Sequence, residues 1–132
     1  MIAPIPDNEA ERLAALREYH ILDTEAEQAY DDITALAAYL CQVPIAMISL
    51  VDESRQWFKS KLGLNRRETP RDVAFCAHAI LQAEPLIVRD ALKDARFADS
   101  SLVAANRTGL DFQLSMPVAL RYLLASAGDS RL

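Results

Sequence analysis

The chain has 132 residues, 52% hydrophobic and 25% charged, the size and composition of one ordinary globular domain, which excludes a disordered or fibrous chain. Its net charge of −5, with no basic stripe, argues against a nucleic-acid or anionic-membrane partner. Cys41 and Cys76 show no paired spacing and fit free thiols in a reducing cytoplasm; no apolar run approaches the roughly 20 residues of a membrane helix, and the opening MIAPIPDNEAERL has no basic region ahead of an apolar core, so a cytoplasmic location is expected.

Pro4 and Pro6 make an extended lead. Asp7 or Asn8 then caps a helix with Glu9 and Glu11 in its first turn, where negative charge suits the helix dipole. Leu13, Leu16 and Tyr19 form its apolar stripe, and His20 marks its end. Thr24-Glu25-Ala26-Glu27 fits a capping box, and Tyr30, Ile33, Leu36, Ala37 and Leu40 hold helical spacing behind it, predicting a second helix over residues 25–41.

Pro44 breaks that pattern. Ile45 to Val51 is a short run rich in branched residues, bounded by the turn signal Asp52-Glu53-Ser54, and Arg55 to Lys61 reads as its hairpin partner. The apolar first strand is expected in the centre of a sheet and the more polar second strand at an edge. The loop 63–71 carries Arg66, Arg67 and Arg71, residues suited to an anionic ligand or to a solvated loop. Asp72 caps a third predicted helix over 73–82; Leu86-Ile87-Val88 reads as a short strand, 90–98 as a loop with helical turns, and 110–120 as a further strand. Hairpins with helices gathered on their faces describe an α+β domain on an antiparallel sheet.

Several stretches together resemble a family. Asn8 to Leu16 followed by Ile21-Leu22-Asp23-Thr24 resembles the lead-in of bacterial GAF sensory domains. Ile48 to Asp52 with Arg55 to Ser60 is similar to the first GAF hairpin; Glu68-Thr69-Pro70-Arg71 with Phe75 to Ile80, then Pro85 to Val88, Asp90, Asp94-Ala95-Arg96-Phe97 and Leu102-Val103, complete the likeness over residues 8–103. The subgroup it resembles stands at the N-terminus of sensor histidine kinases and diguanylate cyclases. The resemblance implies a GAF/PAS-like antiparallel sheet flanked by helices, in one domain over 1–132: a helical lead (8–22), a core (25–118) and an atypical tail (119–132). The departure is that tail. The family's closing Gly-rich hairpin strand has no counterpart after Val118, so the last central strand is expected to be missing or replaced.

The resemblance further implies a regulatory, non-catalytic domain that senses a small molecule and passes the signal to an output protein such as a histidine kinase or diguanylate cyclase, as a homodimer. Its ligand pocket would draw on Trp57, Phe75, Cys76, His78, Asp90, Asp94 and Phe97, and no cofactor is assignable. From the residues themselves, Cys76 and His78 stand two apart; on a helix such positions point about 200° away from each other, so they do not share a metal or a proton. A cysteine on an apolar helix is most often a small buried hydrophobe. Asp90, Asp94 and Arg96 form a charged cluster, read either as turn caps or as a loop over a pocket. No nucleophile elbow, phosphate-binding glycine loop or His-Glu-x-x-His is present. Two other functions fit the same residues: a thiol enzyme resembling GAF-fold reductases of free methionine sulfoxide, which needs a reactive Cys76, and a dimerisation module without a ligand.

Overall fold

The computed structural model describes residues 1–103. The order of elements is α1 (Glu9–Glu18), α2 (Gln28–Cys41), β1 (Ala46–Val51), β2 (Arg55–Leu62), β3 (Glu68–Pro70), a 3-10 turn (Arg71–Val73) and α3 (Phe75–Ala79). This is an α+β arrangement with a three-stranded antiparallel sheet in the order β1-β2-β3. The strand expected at 110–120 and the tail from 119, with the missing or replaced last strand, lie outside the described residues. The chain divides into two compact units, one of residues 10–71 and one of residues 1–9 with the segment from 72 onward.

The first unit is a sheet with α2 packed on it. Trp57, Phe58, Lys59 and Ser60 are all buried and β2 is paired on both sides, so it is the centre of the described ladder and not the edge strand expected. The sequence misleads because the polar residues of β2 are buried with partners. The register explains how. Ile48 pairs with Ser60 and Ser49 with Phe58, so Lys59 is the extra residue of a β-bulge. The bulge interrupts the alternation of the strand, and Lys59 and Ser60 both reach α2 and its lead. The Lys59 ammonium binds the Glu27 carboxylate, donates to Thr24 Oγ1 at 2.8 Å and Glu25 O at 2.7 Å, and stands 5.2 Å from the Tyr30 ring centre. Thr34 Oγ1 donates to Ser60 Oγ at 2.7 Å, which donates to Asp31 Oδ1 at 2.6 Å.

These bonds reorganise the start of α2. Thr24 is held by Lys59 and donates to Ile21 O, so it is not the cap; the helix begins three residues later than predicted, with Glu27 at the N-cap and no side-chain cap bond. They also choose its inner face. Thr34 and Ala38 are buried, whereas Ile33, Leu36 and Leu40 of the predicted stripe face outward. The helix ends with Gln42 in the left-handed region and Val43 N–H donating to Ala38 O at 3.1 Å, a Schellman-type stop ahead of Pro44. Gly63 closes the hairpin at φ +76°, where a Cβ would lie 2.3 Å from Pro44 O.

Arginines fasten the β1–β2 turn within this unit. Arg12 of α1 donates to Val51 O. Buried Arg71 donates to Asp52 O at 3.1 Å and Glu53 O at 3.2 Å, which ties its guanidinium to the turn. Arg55 grips Asp23 with two bonds (2.9 and 2.6 Å) and also binds Glu68 (2.7 Å) and Asp52 (3.2 Å). These hydrogen bonds hold the Arg55 guanidinium firmly protonated and draw the Asp23 carboxyl below its usual range. They also secure Asp23 in the left-handed conformation at φ +60°.

Candidate functional site

In the second unit, α3 is shorter than predicted. Its core is an aromatic stack. Phe75 opens α3 and lies parallel to Phe97, centroids 4.1 Å apart at 9°; His78, one turn on, meets Phe97 edge-on at 4.9 Å. Phe97 and Cys76 are the largest fully buried side chains among the described residues. Leu86 and Val88 are buried beside Phe97 with Ile87 outward. That is the alternation of an extended segment, but the predicted strand at 86–88 has no ladder partner among the described residues.

Phe97 is delivered by two successive Asx-type turns. Asp90 Oδ1 accepts from Leu92 N–H and its carbonyl from Asp94 N–H. Asp94 repeats the device: Oδ1 accepts from Arg96 N–H at 3.0 Å and its carbonyl from Phe97 and Ala98 N–H. The Asp94 carboxylate then grips the Arg96 guanidinium at 2.9 and 2.6 Å, and the guanidinium stands 5.2 Å from the Phe97 ring centre. The Arg96 bonds, against the opposing effect of burial and with a smaller contribution from His78 nearby, lower the Asp94 carboxyl to about 2 and raise Arg96. His78 Nε2 lies 3.0 Å from Met1 O. A carbonyl only accepts, so Nε2 carries the proton.

These groups border a cleft of about 290 Å³ whose walls include His78, Arg96, Phe97, Asp72, Ser100 and Ser101. Its chemistry is a cationic head fixed above an aromatic floor, with an imidazole, two hydroxyls and Asp72 at the rim. Such a set can orient a small polar ligand by charge and hydrogen bonds. Cys76 is buried with 0% exposure. Among the described residues no group of three metal-ligating side chains occurs.

Of the residues expected in a pocket, His78 and Phe97 line the cleft, while Phe75 stacks on Phe97 and Asp94 holds Arg96 without lining it. Cys76 packs inside α3. Asp90 remains at an exposed turn, 3.3 Å from Lys93. Trp57 belongs to the other unit, buried on β2. Arg96, noted in the sequence only as part of a charged cluster, is the residue that presents charge to the cleft; the Asp-x-Arg-Phe order was the signal, since an Asx turn turns Arg and Phe to one side. Lys59 and Arg55 were read as ordinary strand residues, and nothing local marks a buried lysine whose partners lie about 30 residues away.

Among the described residues no helix is long and apolar enough to cross a membrane. A curated relative, a cyclic di-GMP phosphodiesterase of Pseudomonas aeruginosa, is 41% identical over 100 residues, which is 76% of this chain but 17% of the relative's own length. The GAF domain family matches residues 25–121, nearly three quarters of the sequence and including the hairpin, α3 and the Asp94–Phe97 turn. The chain therefore belongs to the GAF domain family.

Proposed function

We propose that this chain is a non-catalytic regulatory GAF module of bacterial signal transduction, which binds a small polar ligand and biases an output enzyme of cyclic di-GMP turnover. It stands in the cytoplasm, in the N-terminal position of the subgroup that also serves sensor histidine kinases and diguanylate cyclases. The carrying observation is the likeness itself: 41% identity over 100 residues to a cyclic di-GMP phosphodiesterase, of whose length they are 17%, supports a regulatory part of such a protein. The ligand would favour one packing of the domain over another, and the shift is limited to its differential affinity for the two. Arg96 is the charged contact the cleft offers, with His78 and Phe97 in its walls. The burial of Cys76 supports the non-catalytic reading over a thiol reductase, whose nucleophile must be exposed and acidic.

Native mass spectrometry of the full chain as purified tests this, followed by thermal shift with cyclic di-GMP, cyclic AMP, cyclic GMP and amino acids. A retained small molecule, or a shift with one of these probes that Arg96→Ala abolishes, is the expected result. A compact protein with no added mass and no shift overturns ligand sensing. Thiol titration of folded protein should modify Cys41 and leave Cys76 protected; rapid reaction at Cys76 would restore the enzyme reading.

A further inference from the structure

Met1 and Ile2 form one wall of the cleft, and Met1 already uses its polar groups. The Met1 amino group donates to Arg96 O at 2.9 Å and to the Asp99 carboxylate. The Met1 carbonyl accepts the His78 Nε2 proton at 3.0 Å, and Ala3 packs with Ala74 and Ala77 in a small buried cluster. All of these residues belong to the second unit. The attachment is weak. Among residues 1–9 Ala3 alone is buried, and the ion pair to Asp99 is exposed on both sides, where such pairs contribute little. Nε2 carries one proton, so a ligand that accepts it must release the Met1 carbonyl. Pro4 and Pro6 restrict their own backbone, and Pro6 O accepts from Glu9 N–H at 3.1 Å, so the segment runs by a stiff link into the first turn of α1.

We infer that Met1–Ala3 is an autoinhibitory strap, and that the cleft takes a free α-amino acid whose ammonium and carboxylate replace the amino group and carbonyl of Met1. The inference rests on the small-ligand reading above and names the class of that ligand. The incoming ammonium takes Arg96 O and the Asp99 carboxylate; the incoming carboxylate takes the His78 proton, with the Arg96 guanidinium in the same wall. The amino-terminal residue of a peptide shares the ammonium but offers a neutral carbonyl, which gains less from a cation. The cleft, at about 290 Å³, is at the small end of ligand sites, the scale of a single amino acid. Release of the strap frees the lead into α1, which gives the ligand a mechanical consequence.

The test is isothermal titration calorimetry and methyl NMR of the full chain and of Ala3→Arg, which expels the strap from its cluster. The probes are the twenty common L-amino acids, then the N-acetylated and the amidated forms of any that binds. In the wild-type chain the Ala3 methyl should show Overhauser contacts to Ala74 and Ala77, and the bound amino acid should abolish them. Ala3→Arg should bind the same amino acid about tenfold more tightly, the gain when a strap that closes the site about nine-tenths of the time is removed. Acetylation should abolish binding and amidation should weaken it. If Ala3→Arg loses its circular dichroism, Ala3→Gly should show a smaller gain in the same direction. Equal affinity for wild type and variant, or Ala3 contacts that are absent or that survive the ligand, refutes the strap and leaves the ligand reading standing. An amide that binds as well as the free amino acid assigns the cleft to a peptide terminus and overturns the class. A cyclic nucleotide that binds where no amino acid does overturns this inference alone; a folded Ala3→Arg that binds none of these probes overturns both.

Discussion

Truncating Phe97 to alanine gives the sharpest check on the aromatic stack. The ring is 1% exposed, parallel to Phe75 at 4.1 Å and edge-on to His78 at 4.9 Å. Losing its burial costs about 2–3 kcal/mol, and the void with the lost ring contacts adds about 1–2 kcal/mol. The sum, about 3–5 kcal/mol, is a large share of the roughly 5–15 kcal/mol available to a domain. Phe97→Leu keeps part of the volume and should cost about 1–2 kcal/mol. Urea unfolding should be followed by circular dichroism and by fluorescence of Trp57, the single tryptophan. In the leucine variant, the His78 ring protons should also move in the NMR spectrum as the ring current of Phe97 disappears. A loss below about 1 kcal/mol for Phe97→Ala, with unmoved His78 resonances, would show that the stack does not hold this unit together.

Asp94 makes stability depend on acid. Its folded-state value of about 2 lies below the ordinary 3.8, so its contribution is present above that ordinary value and vanishes as pH falls through about 2. Asp94→Asn should therefore cost about 1 kcal/mol at neutral pH, after screening of the partly exposed Arg96, and the gap from wild type should close in acid; a gap independent of pH would refute the ion pair. Removing the outer partner of the buried lysine should hurt more than removing the lysine. Glu27→Gln leaves the ammonium buried, at a cost of about 2 kcal/mol, whereas Lys59→Met strands only exposed groups and should cost less than about 1 kcal/mol by denaturant unfolding. Gly63→Ala should cost at least about 2 kcal/mol, because φ is positive and the new methyl meets Pro44 O; a neutral result would mean that the hairpin end relaxes freely.

The sequence by itself determined what local physics controls. The proline breaks, the branched run from Ile45, the Asp-Glu-Ser turn and the leucines of α1 produced the order helix, helix, hairpin, as in the structure. The Asp90 and Asp94 turns were equally legible, because an aspartate bonds backbone amides two residues on whatever surrounds it. The motif set carried the family likeness, and of the residues expected in a pocket His78 and Phe97 stand in the wall of the cleft, with Phe75 stacked on Phe97 and Asp94 holding Arg96. Only the tertiary structure decided which faces were inside. A polar β2 became central because Lys59, Ser60 and Arg55 find partners on α2 and its lead, and because a bulge, invisible in periodicity, turns both Lys59 and Ser60 toward the helix. The same bonds took Thr24 from its predicted cap and rotated the leucine stripe of α2 to the outside. Polarity in a sequence records the cost of losing water, but whether that cost is met depends on partners brought from some 25–35 residues away, and that is information the chain carries only once it is folded.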